Sequence, residues 1–223
     1  MNAVPAALLS EDWCGVSLHV FDTGNDSPLS LTDAAAVLHE SEHARAARFH
    51  FAADRERWMR CRALLRLALS ERLGVPAPDI RFCTGENGKP ALETDQDPEI
   101  APHFNLSHSG PLMALALGNI PVGVDIEGWV RDLAAGEVSA HAFRPEEHQA
   151  IVAHSDPQQH FLELWTAKEA VMKCTGHGLS LPPSAVIVSE DGSRAVIDGA
   201  AGAFALKPVL HPGMWVLTAA QRA

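Results

Sequence analysis

Two short strings in this 223-residue chain place ionisable side chains at spacings that can do chemistry. They are Gly123-Val124-Asp125-Ile126-Glu127 and Trp165-Thr166-Ala167-Lys168-Glu169-Ala170-Val171-Met172-Lys173. In the first, apolar and acidic residues alternate. Side chains at i and i+2 of a strand share a face, so Asp125 and Glu127 point one way together while Val124 and Ile126 face a core. Two carboxylates on one face repel, and a hard divalent cation relieves the repulsion. Magnesium takes oxygen ligands, keeps several waters and shares its shell with substrate phosphates. The plain alternative is a half-exposed strand with its acids in water. In the second string, a helix gathers Trp165, Lys168, Glu169 and Met172 on one side, with Trp165 and Met172 as its buried anchor and Lys168 and Glu169 at the rim. The plain alternative here is a surface ion pair between Glu169 and Lys173 at i, i+4, worth about 0.2–0.5 kcal/mol. Taken together, three carboxylates and two lysines suit a magnesium site made for a pyrophosphate.

A third motif, Phe104-Asn105-Leu106-Ser107-His108-Ser109-Gly110, precedes the apolar run Leu112–Leu117 and reads as a polar turn rich in donors. Such a turn can hold a phosphate through N–H groups and an imidazole; a capped loop with a structural histidine is the alternative. Upstream, Gly85-Glu86-Asn87-Gly88-Lys89-Pro90 reads as a turn that presents a lysine. Net charge is −11, yet ten of the 17 Lys and Arg fall between Arg45 and Lys89 against five acids, leaving that window at about +5. A locally basic segment in an acidic chain can serve as an anion site; arginines of an amphipathic helix facing water are the other reading. The overall negative field and the lack of aromatics interleaved with the basic run argue against nucleic acid.

These motifs need elements to hold them. Gly15–Phe21 reads as a strand, Thr32–His50 as a helix with caps at Thr32 and Asp33, and Asp54–Leu73 as the clearest helix, with an apolar stripe that includes Trp58 and Cys61. Ile80–Cys83 reads as a short strand. Leu112–Leu117 and Val122–Glu127 read as strands joined by the turn Gly118-Asn119-Ile120-Pro121. Pro145–Ala153 and Gln158–Thr175 read as helices, the latter stopped by Gly176 and by Pro182-Pro183. Val186–Ser189, Ala195–Asp198, Phe204–Val209 and Met214–Ala219 read as strands. The second half repeats the order of the first, which predicts an α+β protein of two similar halves. Apolar content of 47% and charged content of 20% suit a globular chain, and no apolar stretch nears the roughly 20 residues of a membrane helix. Cys14, Cys61, Cys83 and Cys174 form no Cys-x-x-Cys pair, which speaks against zinc and a disulfide framework. With no signal peptide visible from Met1 to Trp13, the expectation is a cytoplasmic protein.

The three motifs, in this order and followed by Gly178-Leu179-Ser180-Leu181-Pro182, resemble the 4'-phosphopantetheinyl transferases, which load carrier proteins with an arm taken from coenzyme A. The resemblance is strongest from Glu40 to Pro182. Length and two-half layout look like the Sfp-type, monomeric branch of that superfamily rather than the short synthases that trimerise. It implies halves at about 1–118 and 119–223 related by pseudo-two-fold symmetry, with the active site at their interface. It implies transfer of phosphopantetheine from coenzyme A to a serine of an apo acyl or peptidyl carrier protein, releasing 3',5'-ADP, without nucleic acid or membrane as partner. By position, Asp125, Glu127 and Glu169 would hold Mg2+; Glu169, Lys173 and Asp125 would be catalytic. Arg45, Arg48, Arg57, Lys89, Pro90, Ser107, His108, Lys168 and Lys173 would hold coenzyme A. Relatives commonly carry a basic residue where this chain has Glu42, so Arg48 is the expected compensation. The segment Trp129–Phe143 carries Trp129, Val130, Leu133, Val138 and Phe143, either a landing patch for the carrier or a covered loop and helix. Two other readings share the residues: a magnesium-dependent hydrolase of coenzyme A or a nucleotide pyrophosphate, and a non-catalytic coenzyme A or carrier-binding module. The full set of Asp125, Glu127, Glu169 and Lys173 speaks against the module.

Overall fold

A hairpin opens the chain, Leu9–Trp13 (β1) with Val16–Asp22 (β2), turning at Cys14 and Gly15, both at positive φ. The computed structural model describes residues 3–84, 90–93, 101–129 and 133–223. The single helix expected over Thr32–His50 is two helices, Leu31–Val37 (α1) and Glu40–Ala46 (α2). Leu38 and His39 are extended between them because a second cap lies inside the window: the His39 ring accepts from the Ser41 N–H while the Glu42 carboxylate accepts from the His39 N–H. The long helix Ala52–Leu73 (α3) follows, ended by Gly74 in the left-handed region. Phe82–Thr84 (β3) and Pro90–Leu92 (β4) pair as a small ribbon.

His103–Ser109 (β5) and Leu112–Gly118 (β6) form an antiparallel hairpin about Gly110-Pro111. The polar turn expected at Phe104–Gly110 is therefore a strand. Its polar residues are satisfied by the other half of the molecule, which no local pattern reveals. Val122–Gly128 (β7) follows, then Ala135–Ala142 (α4), Pro145–Ala153 (α5) and Pro157–Thr175 (α6). Val186–Val188 (β8), Arg194–Ile197 (β9), Ala203–His211 (β10) and Trp215–Arg222 (β11) complete the order.

The strands form two main antiparallel sheets, ordered β1-β2-β6-β5 and β7-β11-β10-β9-β8. The triplets β2-β6-β5 and β7-β11-β10 have the same topology, each with one long helix inserted after its first strand, α3 in one and α6 in the other. The two α+β halves are thus repeats. The turn Gly118–Pro121 does not join paired strands; it carries the chain from one sheet to the other.

Of the four apolar clusters among the described residues, three follow from this layering. One packs α3 through Ala63, Leu64 and Leu67 against Met113, Leu115 and Leu117 of β6. One packs α6 through Ala167, Ala170 and Val171 against Val186, Phe204 and Leu206. Between them lies a cluster without helical residues: Val16, Leu18, Val20, Ala114 and Ala116 of one sheet against Val122, Val124, Ile126, Leu217 and Ala219 of the other. β7 therefore buries its Val and Ile between the sheets and turns Asp125 and Glu127 toward α6. Contact there is close: a Cβ added to Gly123 would lie 2.0 Å from the Ala170 carbonyl oxygen and 2.5 Å from the Cys174 nitrogen. Only glycine lets the helix backbone settle on the strand, and this sets how near Glu169 and Lys173 come to Asp125.

Candidate active site

Asp125 is 3% exposed. Its Oδ1 accepts from the Lys173 ammonium at 2.6 Å and from the Ser107 hydroxyl at 2.8 Å, and Lys173 also donates to Ser107 at 2.9 Å. Lys173 thus crosses to the strand, and among the described residues it makes no ion pair with Glu169. Oδ2 of Asp125 is buried and has no hydrogen-bond partner among the described residues. Glu127 accepts from Ser109 at 2.8 Å. Burial raises the pKa of Glu127, and the Asp125 charge adds to it against the Ser109 bond and Lys173. Burial likewise raises that of Glu169; the charges of Asp125 and Glu127 add to this while Lys173 opposes. Three carboxylates feeling one another's charge, one with an orphaned buried oxygen, describe a site short of positive charge.

Strand β5 is the hinge of the arrangement because its side chains alternate. Asn105, Ser107 and Ser109 reach β7: the Asn105 Oδ1 accepts from the Val124 N–H at 2.8 Å, and the serines bond Asp125 and Glu127. β5 and β7 each end their own sheet. These side chains take the place of a backbone ladder between them. Leu106 and His108, pointing the other way, line a cavity of about 680 Å³ in the first half.

The cavity is walled by Arg45, Arg57 and Arg62, by Glu42 and Asp54, by the aromatic rings of Phe49, Trp58 and Phe82, and by Pro90 and Thr23. The Arg45 guanidinium lies over the Trp58 ring, 5.3 Å from its centre, a cation–π contact. Arg57 pairs with Asp54, and Arg62 with Glu42. Glu42 is itself buried and bonded by Arg66 at 2.5 Å, so the acid at the position expected to be basic is a structural knot holding α2 to α3. Burial alone would raise the Glu42 pKa, but the bonds from Arg66, the His39 N–H and Arg62 outweigh it and hold the carboxyl below its usual range.

Several expected site residues lie elsewhere. Lys168 is fully buried, its ammonium bonded to Glu147 at 2.7 Å and to the carbonyls of Pro183 and Val186. It ties α6 to α5 and the β8 turn and does not reach the carboxylate cluster or the cavity, because the Glu169 and Lys173 side of α6 already faces β7. Arg48 is exposed and does not line the cavity. Ser107 sits with Asp125, not in the cavity. Lys89 and the Gly85–Lys89 turn lie outside the described residues, as does Val130. Phe143 is buried, stacked on Phe161 at 5.4 Å, so the covered reading holds for this end of the Trp129–Phe143 segment, while Val138 is exposed. Sequence reasoning missed Trp58, Arg62, Phe82 and Ser109. Trp58 fits the helical stripe and so reads as core, yet an aromatic next to Arg57 was a signal for an anion site with a ring beside it.

Among the described residues no three His, Cys, Asp or Glu side chains are already gathered tightly enough to cage a cation. The donor set nonetheless fits a divalent ion that completes its shell with phosphate oxygens and water. Carboxylates are the hard ligands such an ion takes, and among the described residues Asp125 Oδ2 lacks a partner.

Comparison with known proteins points the same way. A family model described as "4'-phosphopantetheinyl transferase superfamily" matches residues 121–208, and one described as "4'-phosphopantetheinyl transferase, N-terminal" matches residues 25–119. The chain is 38% identical to the 4'-phosphopantetheinyl transferase psf-1 of Bacillus pumilus, over 70% of this chain and 66% of that one. It is 36% identical to the 4'-phosphopantetheinyl transferase HetI of a Nostoc species, over 73% and 70%. It is 30% identical to the 4'-phosphopantetheinyl transferase Sfp of Bacillus subtilis, over 77% of each.

Proposed function

The chain belongs to the 4'-phosphopantetheinyl transferase superfamily, and from that membership we propose that it moves the phosphopantetheine arm of coenzyme A onto a serine of an apo acyl or peptidyl carrier protein, releasing 3',5'-ADP. The observation that carries the reading is one strand with two working faces: β5 gives His108 to an arginine-lined cavity and Ser107 and Ser109 to the carboxylates of β7. A nucleotide in the cavity would lie beside Arg45, Arg57, Arg62, Pro90 and His108, with Trp58 as a flat apolar wall. Its pyrophosphate would lead toward Lys173, Asp125, Glu127 and Glu169.

The step transfers a phosphoryl-linked arm. The serine oxygen of the carrier bonds to the β-phosphorus, the bond from that phosphorus to the oxygen of the departing 3',5'-ADP breaks, and the serine proton needs an acceptor. Glu169 is that acceptor, since burial and its acidic neighbours make its carboxylate hold a proton better than an ordinary glutamate. Lys173, set between Ser107 and Asp125, is placed to donate to phosphate oxygens as charge builds on them. Asp125, Glu127 and Glu169 would hold Mg2+, which when bound draws charge from the pyrophosphate oxygens. We further propose a monomer acting in the cytoplasm, with the halves dividing at about residue 118. Among the described residues no helix is long and apolar enough to cross a membrane.

The test is direct. The protein is incubated with coenzyme A, Mg2+ and an apo carrier, and the carrier is weighed by intact mass spectrometry. A gain of one phosphopantetheine arm, abolished by chelation, is expected. Cleaved coenzyme A without a gain in carrier mass would make it a hydrolase, and intact coenzyme A with every carrier tried would make it a binding module.

A further inference from the structure

Ser109 makes two bonds, the one to Glu127 already described and a second to the backbone beside it. Its oxygen accepts from the Gly128 N–H at 3.1 Å, and its hydroxyl donates to Glu127 Oε2 at 2.8 Å. A serine hydroxyl has one proton to give and two lone pairs to receive with. Anchored through a lone pair to the backbone of the residue after Glu127, it gives its only proton to the carboxylate. Glu127 is therefore held from β5, across the seam between the sheets, by a short and rigid side chain. Among the described residues its second oxygen, Oε1, takes no hydrogen bond.

The same device occurs two residues earlier. Ser107 holds Asp125 by Oδ1 and leaves Oδ2 without a partner. Serines at i and i+2 on β5 thus face carboxylates at i and i+2 on β7. Each serine takes one oxygen and each carboxylate keeps the other. Side chains two apart on a strand share a face, so the match of spacing follows from strand geometry once β5 and β7 lie side by side.

We propose that Ser109 is a positioning residue for the metal: it fixes the rotamer of Glu127 through Oε2 and leaves Oε1 to bind, as Ser107 leaves Oδ2 of Asp125. The proposal rests on the transferase reading with its metal. Groups that orient a ligating carboxylate typically change metal affinity by about 10–100-fold when removed. Ser109 lies on the carboxylate side of β5 and does not line the cavity, so its loss leaves the nucleotide contacts in place.

Mn2+ serves as the probe, its free concentration read by electron paramagnetic resonance in the presence of saturating coenzyme A. Coenzyme A affinity is measured separately by calorimetry with chelator present. Ser109→Ala is expected to raise the Mn2+ dissociation constant by about 10-fold, with metal-free coenzyme A affinity unchanged. Ser109→Thr, which keeps the hydroxyl, is expected to return Mn2+ affinity toward that of the unmodified protein. Wild-type Mn2+ affinity in the alanine variant overturns the proposal. So does a threonine variant no better than alanine, or an equal loss of metal-free coenzyme A affinity, which would mark a nucleotide contact or a damaged fold. Failure of the unmodified protein to bind Mn2+ removes the metal reading itself and the proposal with it.

Discussion

Asp125 is held by one oxygen and idle at the other, in a place where water does not reach it. Such an atom costs stability, and a role in binding accounts for its being kept. Glu169→Ala is expected to lower transfer by at least about 100-fold, the lower bound for losing a positioned acid–base group, and Asp125→Ala, which removes a carboxylate offered to the metal, to lower it to a similar extent. Thermal stability should change little for Glu169→Ala, which relieves repulsion among three carboxylates, and should fall more for Asp125→Ala, which takes away the acceptor shared by Lys173 and Ser107. A variant that keeps most of its turnover in the mass assay would remove that residue from the mechanism. Glu42 behaves oppositely. It faces Arg66, which is 2% exposed, and removing it strands a buried guanidinium. Glu42→Ala is expected to cost about 3–5 kcal/mol in urea unfolding at neutral pH. The Glu42 pKa is lowered in the folded state, so its contribution is complete above the ordinary glutamate range and is lost as pH falls through the folded value. The gap between variant and parent should therefore close below about pH 4, near and below the ordinary glutamate pKa; a gap that stays constant on acidification would show that the ion pairs carry no stability. At this scale the sequence was most legible where chemistry is local. Alternation in Val124-Asp125-Ile126-Glu127 sends the acids to one face, as the structure has them. It was least legible at Lys168, whose charge is satisfied by Glu147 and two carbonyls distant in the chain.

Among the elements, α6 and β7 depend on one another through a missing side chain. Gly123→Ala would drive a methyl group into the Ala170 carbonyl, so the helix must lift. Overpacking of this kind costs about 1–3 kcal/mol or more. The same shift carries Glu169 and Lys173 away from Asp125, so activity should fall further than stability alone explains. Calorimetry beside the mass assay checks this: an alanine variant with both parental stability and parental activity would show that the helix has room to move. Helices α3, α5 and α6 were readable because local residues mark their ends: Gly74 and Gly176 stop α3 and α6, and Pro145 and Pro157 open α5 and α6. β5 was not. Asn105, Ser107 and Ser109 look like turn residues until their partners on β7 are known. The break between α1 and α2 was hidden for a similar reason, since His39 is an unusual cap and its partner Glu42 is claimed by α3 as well.

For the whole molecule, the repeat of topology is less telling than the core between the repeats. Val16, Leu18 and Ala116 of one sheet are buried in a cluster they share with Val124, Ile126 and Leu217 of the other. Neither half keeps that cluster dry alone, so thermal unfolding should be one cooperative transition. Two resolved calorimetric peaks would show instead that the halves melt independently. The repeat itself was legible from element order; the joining surface was not, because an apolar strand does not say which neighbour it faces. There is also a consequence for synthesis. β7, bearing Asp125 and Glu127, is flanked along its length by β11, whose residues come about 90 positions later in the chain. A ribosome adding about 5–20 residues per second leaves the acidic strand waiting for its neighbour for several seconds at least. A nascent chain halted after residue 173 in that interval would already contain Asp125, Glu127, Glu169 and Lys173, yet the strand that carries the first two would still have one edge bare.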